Sequence, residues 1–168
     1  MSQHTAAVAV VISDEAGRVL ICQQSQGHRL WGLPGGKIRS AESPIHATIR
    51  DIREETGMEI DIVDLVGLYQ LTGGNSTALP DVLVHVFRAR CSKAEATVNS
   101  PGRISHLTWA DPAYLPDPMT ATAKIAISDA VKGRSGVVCH VQRNVEPDIP
   151  DADSADTILG TATVTSAA

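Results

Sequence analysis

Acidic side chains crowd one short stretch, GGKIRSAESPIHATIRDIREETGM, which runs from Gly35 to Met58. Asp51, Glu54 and Glu55 fall near the end of a segment that reads as a helix, with Glu42 ahead of it and the pair Gly35-Gly36 further upstream. At about 100° per residue, with Asp51 set to zero, Glu54 lies at about −60° and Glu55 at about +40°, so all three share one face. Like charges three and four residues apart each destabilise a helix by about 0.2–0.5 kcal/mol. Anions in the last turn oppose the helix dipole by about 0.3–1 kcal/mol. The cluster therefore forgoes on the order of 1–2 kcal/mol relative to a charge pattern chosen for stability. The bland alternative is a solvated helix laced with salt bridges, or an acidic scaffold that binds no metal. Local rules broken together point instead to a functional site. A divalent cation reverses the sign of every one of these terms. Oxygen-only donors suit a hard ion that keeps several waters, so Mg2+ or Mn2+ is expected rather than Zn2+.

The element that must carry these groups has readable ends. Ser43 is suited to the N-cap, Pro44 to the first helical position and Gly57 to the C-terminal cap, which gives a helix over Ser43–Thr56. Ile45, Ile49 and Ile52 fall at about 120°, 160° and 100°, a stripe expected to pack on a sheet apart from the acids. His46, at about 220°, belongs to the surface or to packing. Gly35 and Gly36 lack Cβ atoms where the chain is expected to turn, so backbone there can approach a ligand or the helix. A phosphate-binding P-loop around "GGK" is excluded, because Ile38 replaces the required Ser or Thr and Trp31 stands at the first Gly position.

Around this helix the chain reads as strands. Ala6–Ile12 and Arg18–Gln23 form a hairpin signal, and Leu30–Leu33 leads into the turn Pro34-Gly35-Gly36. Ile60–Leu71, Val82–Arg90 and Arg103–Ala110 follow as strands, and Thr120–Val131 is a second helix. That order predicts an α/β domain with a mixed sheet covered by helices. Val137–Val141 adds a possible strand, and from Glu146 the sequence turns acidic and then rich in Thr and Ala, as a solvated tail would. The expected division is one domain over residues 1–136 and a C-terminal extension over 137–168. Asp151, Asp153 and Asp156 in that extension do not fit a calcium loop.

With 168 residues, 43% hydrophobic, the chain can bury a core without disulfides or a structural metal. Cys22, Cys91 and Cys139 lie far apart with no metal-ligand or redox spacing, and read as buried thiols. A net charge of −5 argues against nucleic acid as the main partner. Ala6–Ile12 is too short for a signal peptide or membrane span, so a cytoplasmic location without membrane association is expected.

The box at the opening stretch resembles that of the Nudix hydrolases. Gly36, Glu42, Arg50, Asp51, Ile52, Glu54, Glu55, Gly57 and Met58 match its pattern, with Asp51 where the family usually has Glu. A weaker likeness runs from the N-terminal hairpin through "WADPAYLP". The resemblance implies an α/β/α sandwich that cleaves a pyrophosphate link in a nucleoside diphosphate joined to another group, with a small nucleotide as partner and a homodimer as a common assembly. It implies Glu54 and Glu55 as metal ligands, with Asp51 as base or further ligand. It also implies Arg50 as the residue that orients the glutamates, and Glu42 as a helper. Around them, Gly35, Gly36, Arg29 and Tyr69, with neighbouring Gln70, are the expected substrate contacts. Trp31 and Trp109 are expected to anchor the core, and His85 to be structural.

Two departures bear on chemistry. Asp51 is shorter than Glu by about 1.5 Å of reach, and a shift of about 1 Å in a positioned group can cost about 100-fold in rate. "PGRISHLTW" places Arg103 and His106 where many members carry Glu. These departures motivate a second expectation, a Nudix-fold binding or regulatory module with little turnover. Gly73-Gly74-Asn75 stands where many ADP-ribose enzymes have a proline. Nucleoside triphosphates, oxidised ones included, and ADP-ribose-like compounds are the expected substrates.

Overall fold

The structure, a computed structural model, describes residues 4–73, 80–143 and 162–164. Gly74-Asn75, and the acidic tail with Asp151, Asp153 and Asp156, lie outside the described residues. Its elements run β1 (Thr5–Ser13), β2 (Val19–Gln24), β3 (Trp31–Gly32), β4 (Gly35–Lys37), α1 (Pro44–Thr56), β5 (Ile60–Thr72), β6 (Val82–Cys91), β7 (Ile104–Ala110), α2 (Ala121–Val131), β8 (Val137–Arg143) and β9 (Ala162–Val164). The strands form one mixed sheet ordered β3-β2-β1-β6-β5-β8-β9, with β4 also on β1 and β7 also on β2.

A strand alternates its side chains between two faces, and β1 uses both. Val8, Val10 and Ile12 enter a core shared with Ala47 and Ile52 of α1. Ala7, Ala9 and Val11 enter a second core shared with Ala123, Ala126 and Ile127 of α2. Each helix thus covers one face of the sheet, as the order of strands and helices predicts, giving the α/β/α sandwich that the resemblance implies. Strands buried on both sides read as continuous apolar runs, which is what Ala6–Ile12 is.

Two sequence expectations need correction. The hairpin of β1 and β2 is paired only at Ser13–Val19. Beyond that rung β1 pairs in parallel with β6 along its whole length and with β4 at Ala7–Ala9, while β2 turns to β7 and β3. The expected turn at Gly35-Gly36 is strand β4. A Cβ on Gly35 would lie 2.8 Å from the Ala9 Cα and closer still to the Val8 carbonyl, so only glycine permits this approach.

α1 begins and ends as its sequence predicts. Ser43 Oγ accepts from the His46 amide at 3.2 Å, and Gly57 closes the helix at φ 70° with its amide on the Arg53 carbonyl. The isoleucine stripe is only partly inward: Ile52 is fully buried, Ile49 is partly buried, and Ile45 in the first turn is 46% exposed. His46 is exposed. Among the described residues no helix is long and apolar enough to cross a membrane.

Candidate active site

The buried face of α1 consists of Ala47, Thr48, Asp51, Ile52, Glu55 and Thr56. Two of the acids therefore point inward beside the core rather than away from it. Asp51 and Glu55 are each 2% exposed, whereas the Glu54 side chain is 47% exposed. This corrects the expected separation of acids from isoleucines: residues 47, 51 and 55, four apart, continue the buried face along a line next to Ile52. What receives them is β4, whose glycines leave the necessary room. A Cβ on Gly36 would lie 2.9 Å from Asp51 Oδ2 and 3.1 Å from Arg103 Nη2.

Arg50 organises the polar side of the helix. Its Nε donates to Glu42 Oε1 at 2.6 Å and its Nη2 to Glu42 Oε2 at 2.9 Å, a two-pronged pairing. Nη1 donates to Asp51 Oδ1 at 2.7 Å and to Glu54 Oε2 at 3.3 Å. The Arg50 hydrogen bond, helped by the Arg39 amide, holds the Glu42 carboxyl at about 2, far below the usual carboxylate range. Burial acts the other way on Asp51 and pushes its carboxyl up despite the positive charges of Arg50 and Arg103. Glu54 reaches a second cation, Arg39 Nη2, at 3.2 Å.

Glu55 Oε1 meets Arg103 Nη1 at 3.1 Å. The segment leading to β7 sets this contact by wrapping the end of α1. The Thr97 amide donates to the Thr56 carbonyl at 3.0 Å, the Asn99 amide donates to the Glu55 carbonyl at 2.9 Å, and Trp109 Nε1 ties the Ala94 carbonyl at 3.0 Å. On its other side the Arg103 carbonyl accepts from the Ser25 amide at 3.0 Å. Arg103 and Glu55 then line an open cleft together with Gln24, Leu33, Gly35 and Thr120.

The structure brings together Gly36, Glu42, Arg50, Asp51 and Glu55, with Gly35 in the cleft wall and Glu54 at the solvent edge. It leaves two expected contacts outside. Arg29 stands on an exposed loop at φ 52° and does not line the cleft. Tyr69 is fully buried under α2, its hydroxyl donating to Asp129 Oδ2 at 2.9 Å, on the face of β5 that it shares with Leu71 and opposite the face that Ile60 and Ile62 turn toward α1. The neighbouring Gln70 is exposed. Trp31 and Trp109 are partly buried, each packed on one of the two cores, and His85 Nδ1 lies 3.2 Å from the Ala7 carbonyl oxygen within the sheet. Two residues were missed. Arg103 is visible in the sequence only as a departure from the family pattern, and Arg39 carries no signal.

Among the described residues no three His, Cys, Asp or Glu side chains are gathered to hold a metal ion. Arginines occupy the acids instead, and Glu54 is drawn outward. The donor chemistry nevertheless fits a hard divalent ion on two counts. The donors are carboxylate oxygens, and Asp51 Oδ2 is buried with no hydrogen-bond partner, facing the gap left by Gly36.

A family model described as the NUDIX domain matches residues 3–130. A MutT-like protein of Streptomyces ambofaciens is 28% identical over 130 residues, covering 77% of this chain and 79% of that one. An oxidized purine nucleoside triphosphate hydrolase of Danio rerio is 31% identical over 84 residues, covering 49% of this chain and 53% of its own. A MutT NUDIX hydrolase of Burkholderia pseudomallei has a crystal structure that superposes with a TM-score of 0.68 at 27% identity, over 76% of this chain and 98% of that one.

Proposed function

The chain belongs to the Nudix hydrolases, a family of pyrophosphohydrolases that generally use divalent metals, and from that premise we propose that it hydrolyses a nucleoside triphosphate, oxidised purine nucleotides included, with Mg2+ or Mn2+ held by Asp51, Glu55 and Glu54. One observation carries the reading. A buried carboxylate oxygen, Asp51 Oδ2, has no hydrogen-bond partner and lies on the same helix face as Glu55, opposite a glycine whose missing Cβ leaves it room. Such an atom is costly to bury without a partner, by about 1–3 kcal/mol, unless a ligand completes it.

Each of the chain's own residues then has a task. Arg50 fixes Asp51 through Oδ1 and leaves Oδ2 pointing at the gap, while Glu42 fixes Arg50. Gly35 lets β4 lie against the β1 backbone, and Gly36 leaves room beside Asp51 Oδ2 and Arg103 Nη2. Gln24 and Leu33 line the same cleft as Glu55 and Arg103, where the remainder of the nucleotide would lie. When bound, a divalent ion supplies polarisation of a phosphoryl oxygen and a more acidic water. It also answers the charge problem, because a protein of net charge −5 must receive a polyanion. The triphosphate class is favoured by the relative from Danio rerio.

The test is turnover of the full chain with Mg2+ or Mn2+ against nucleoside triphosphates, oxidised purine triphosphates, ADP-ribose, nucleotide sugars and dinucleoside polyphosphates. Triphosphates are expected to turn over fastest, with a chelator abolishing the rate. Preference for ADP-ribose would overturn the substrate class. A rate that survives chelation would overturn the metal reading.

A further inference from the structure

Arg103 occupies the edge shared by the two buried carboxylates. Its Nη1 lies 3.1 Å from Glu55 Oε1, and its Nη2 borders the same gap beside Gly36 that Asp51 Oδ2 faces. Its backbone is fixed on both sides: the amide donates to the Ser100 carbonyl at 3.0 Å and the carbonyl accepts from the Ser25 amide at 3.0 Å. Its side chain is 38% exposed, against 2% for Glu55, and lines the open cleft. The arrangement is a permanently charged group on a long stem with several rotatable bonds, anchored at its root and paired with Glu55 at its tip. A second cation drawn to the same oxygens must work against that charge, since like charges a few ångströms apart in a partly desolvated site repel strongly.

We propose that Arg103 is a tethered counter-cation that pairs with Glu55 and offsets the charge of Asp51 in the metal-free protein, and that it competes with the divalent ion for this site. When the ion binds, the guanidinium turns out into the cleft, where a phosphate of the substrate is the complementary partner. Apparent metal affinity is then reduced by the fraction of time that Arg103 holds the site. The inference rests on the metal reading above.

The test is calorimetric titration of the full chain with Mn2+ alone, without nucleotide, for the wild type, Arg103→Gln and Arg103→Lys, alongside thermal unfolding with and without Mn2+. Arg103→Gln is expected to bind Mn2+ about tenfold more tightly, as for a site that Arg103 leaves open about one part in ten of the time. It is expected to unfold at lower temperature than wild type without the ion, and to gain more from adding it. Arg103→Lys, a point charge without the planar fork, is expected to fall between the two. A folded Arg103→Gln that binds Mn2+ no more tightly than wild type overturns the proposal while leaving the metal reading standing. If Arg103→Gln does not fold, Arg103→Lys decides alone, and an affinity no tighter than wild type overturns it. Absence of Mn2+ binding in all three proteins overturns the metal reading and this inference with it.

Discussion

Each of the two helices buries one aspartate, and the two are treated in opposite ways. Asp129 on α2 is 5% exposed and both its oxygens are answered: Oδ2 accepts from the Tyr69 hydroxyl at 2.9 Å and Oδ1 from Arg134 Nη1 at 2.8 Å. Asp51 on α1 is 2% exposed and only Oδ1 is answered, by Arg50 at 2.7 Å. Asp129 lies deep between α2 and β5, and its charge and the Tyr69 hydroxyl stabilise each other's positions; burial and that partner push the tyrosine's own ionisation up. Asp51 faces glycine backbone, beside a residue of the cleft wall. A buried acid that is fully satisfied belongs to the architecture, and one kept half-satisfied at a gap belongs to a ligand.

That contrast can be broken most directly at the neighbour of Asp51. Glu55→Gln is expected to lower turnover of the preferred triphosphate by at least roughly 100-fold, with an unchanged circular dichroism spectrum; a variant that keeps the wild-type rate would place the chemistry elsewhere. Asp129→Ala should do the reverse, leaving kcat within a factor of a few while removing about 2 kcal/mol of stability in urea unfolding, because the Tyr69 hydroxyl loses its buried partner. Should Asp129→Ala lose activity without losing stability, the distinction between the two aspartates fails. Gly36→Ala sharpens the comparison: the new Cβ presses on Asp51 Oδ2, so about a tenfold loss in rate is expected from a displacement of a few tenths of an ångström. Its unfolding midpoint should move little.

The smallest effect is a pH dependence at Glu42. Its folded carboxyl is held at about 2 against the ordinary 4.5, so the unfolded chain binds its proton first as acid is added. The stabilisation is therefore present above 4.5 and is lost as pH falls through about 2. Glu42→Gln lacks it. The stability gap between wild type and Glu42→Gln should hold steady above 4.5 and close below it; a gap that widens in acid would contradict the Arg50 pairing.

Much of the site was legible because it lies on one helix. Ser43, Pro44 and Gly57 announce the ends of α1, and the fixed angle per residue places Asp51, Glu54 and Glu55 together. Local periodicity does not say which side of a helix other segments will cover. Nothing near α1 in the chain reveals that Asp51 and Glu55 turn inward while Glu54 meets Arg39, because the segment bringing Arg103 folds back from far downstream. β4 was hidden for a related reason: Gly35-Gly36 carries turn chemistry, and only the proximity of β1 makes it a strand. Tyr69 lies on the face of β5 opposite Ile60 and Ile62, as alternation predicts, but periodicity within β5 does not say that this face is covered by α2 rather than open to a cleft.

The central strand carries one more lesson. Both faces of β1 are apolar, so sliding it by one residue would expose no greasy surface and polarity alone cannot fix its alignment. The faces differ in bulk instead: Ala7 and Ala9 are small beneath α2, while Val8, Val10 and Ile12 are large beneath α1. A slip would crowd one layer and hollow the other, so alignment is encoded in volume. Since Gly35 rests against Val8 and Ala9 and lines the cleft, sizing errors in that interior would be felt as a shifted cleft wall.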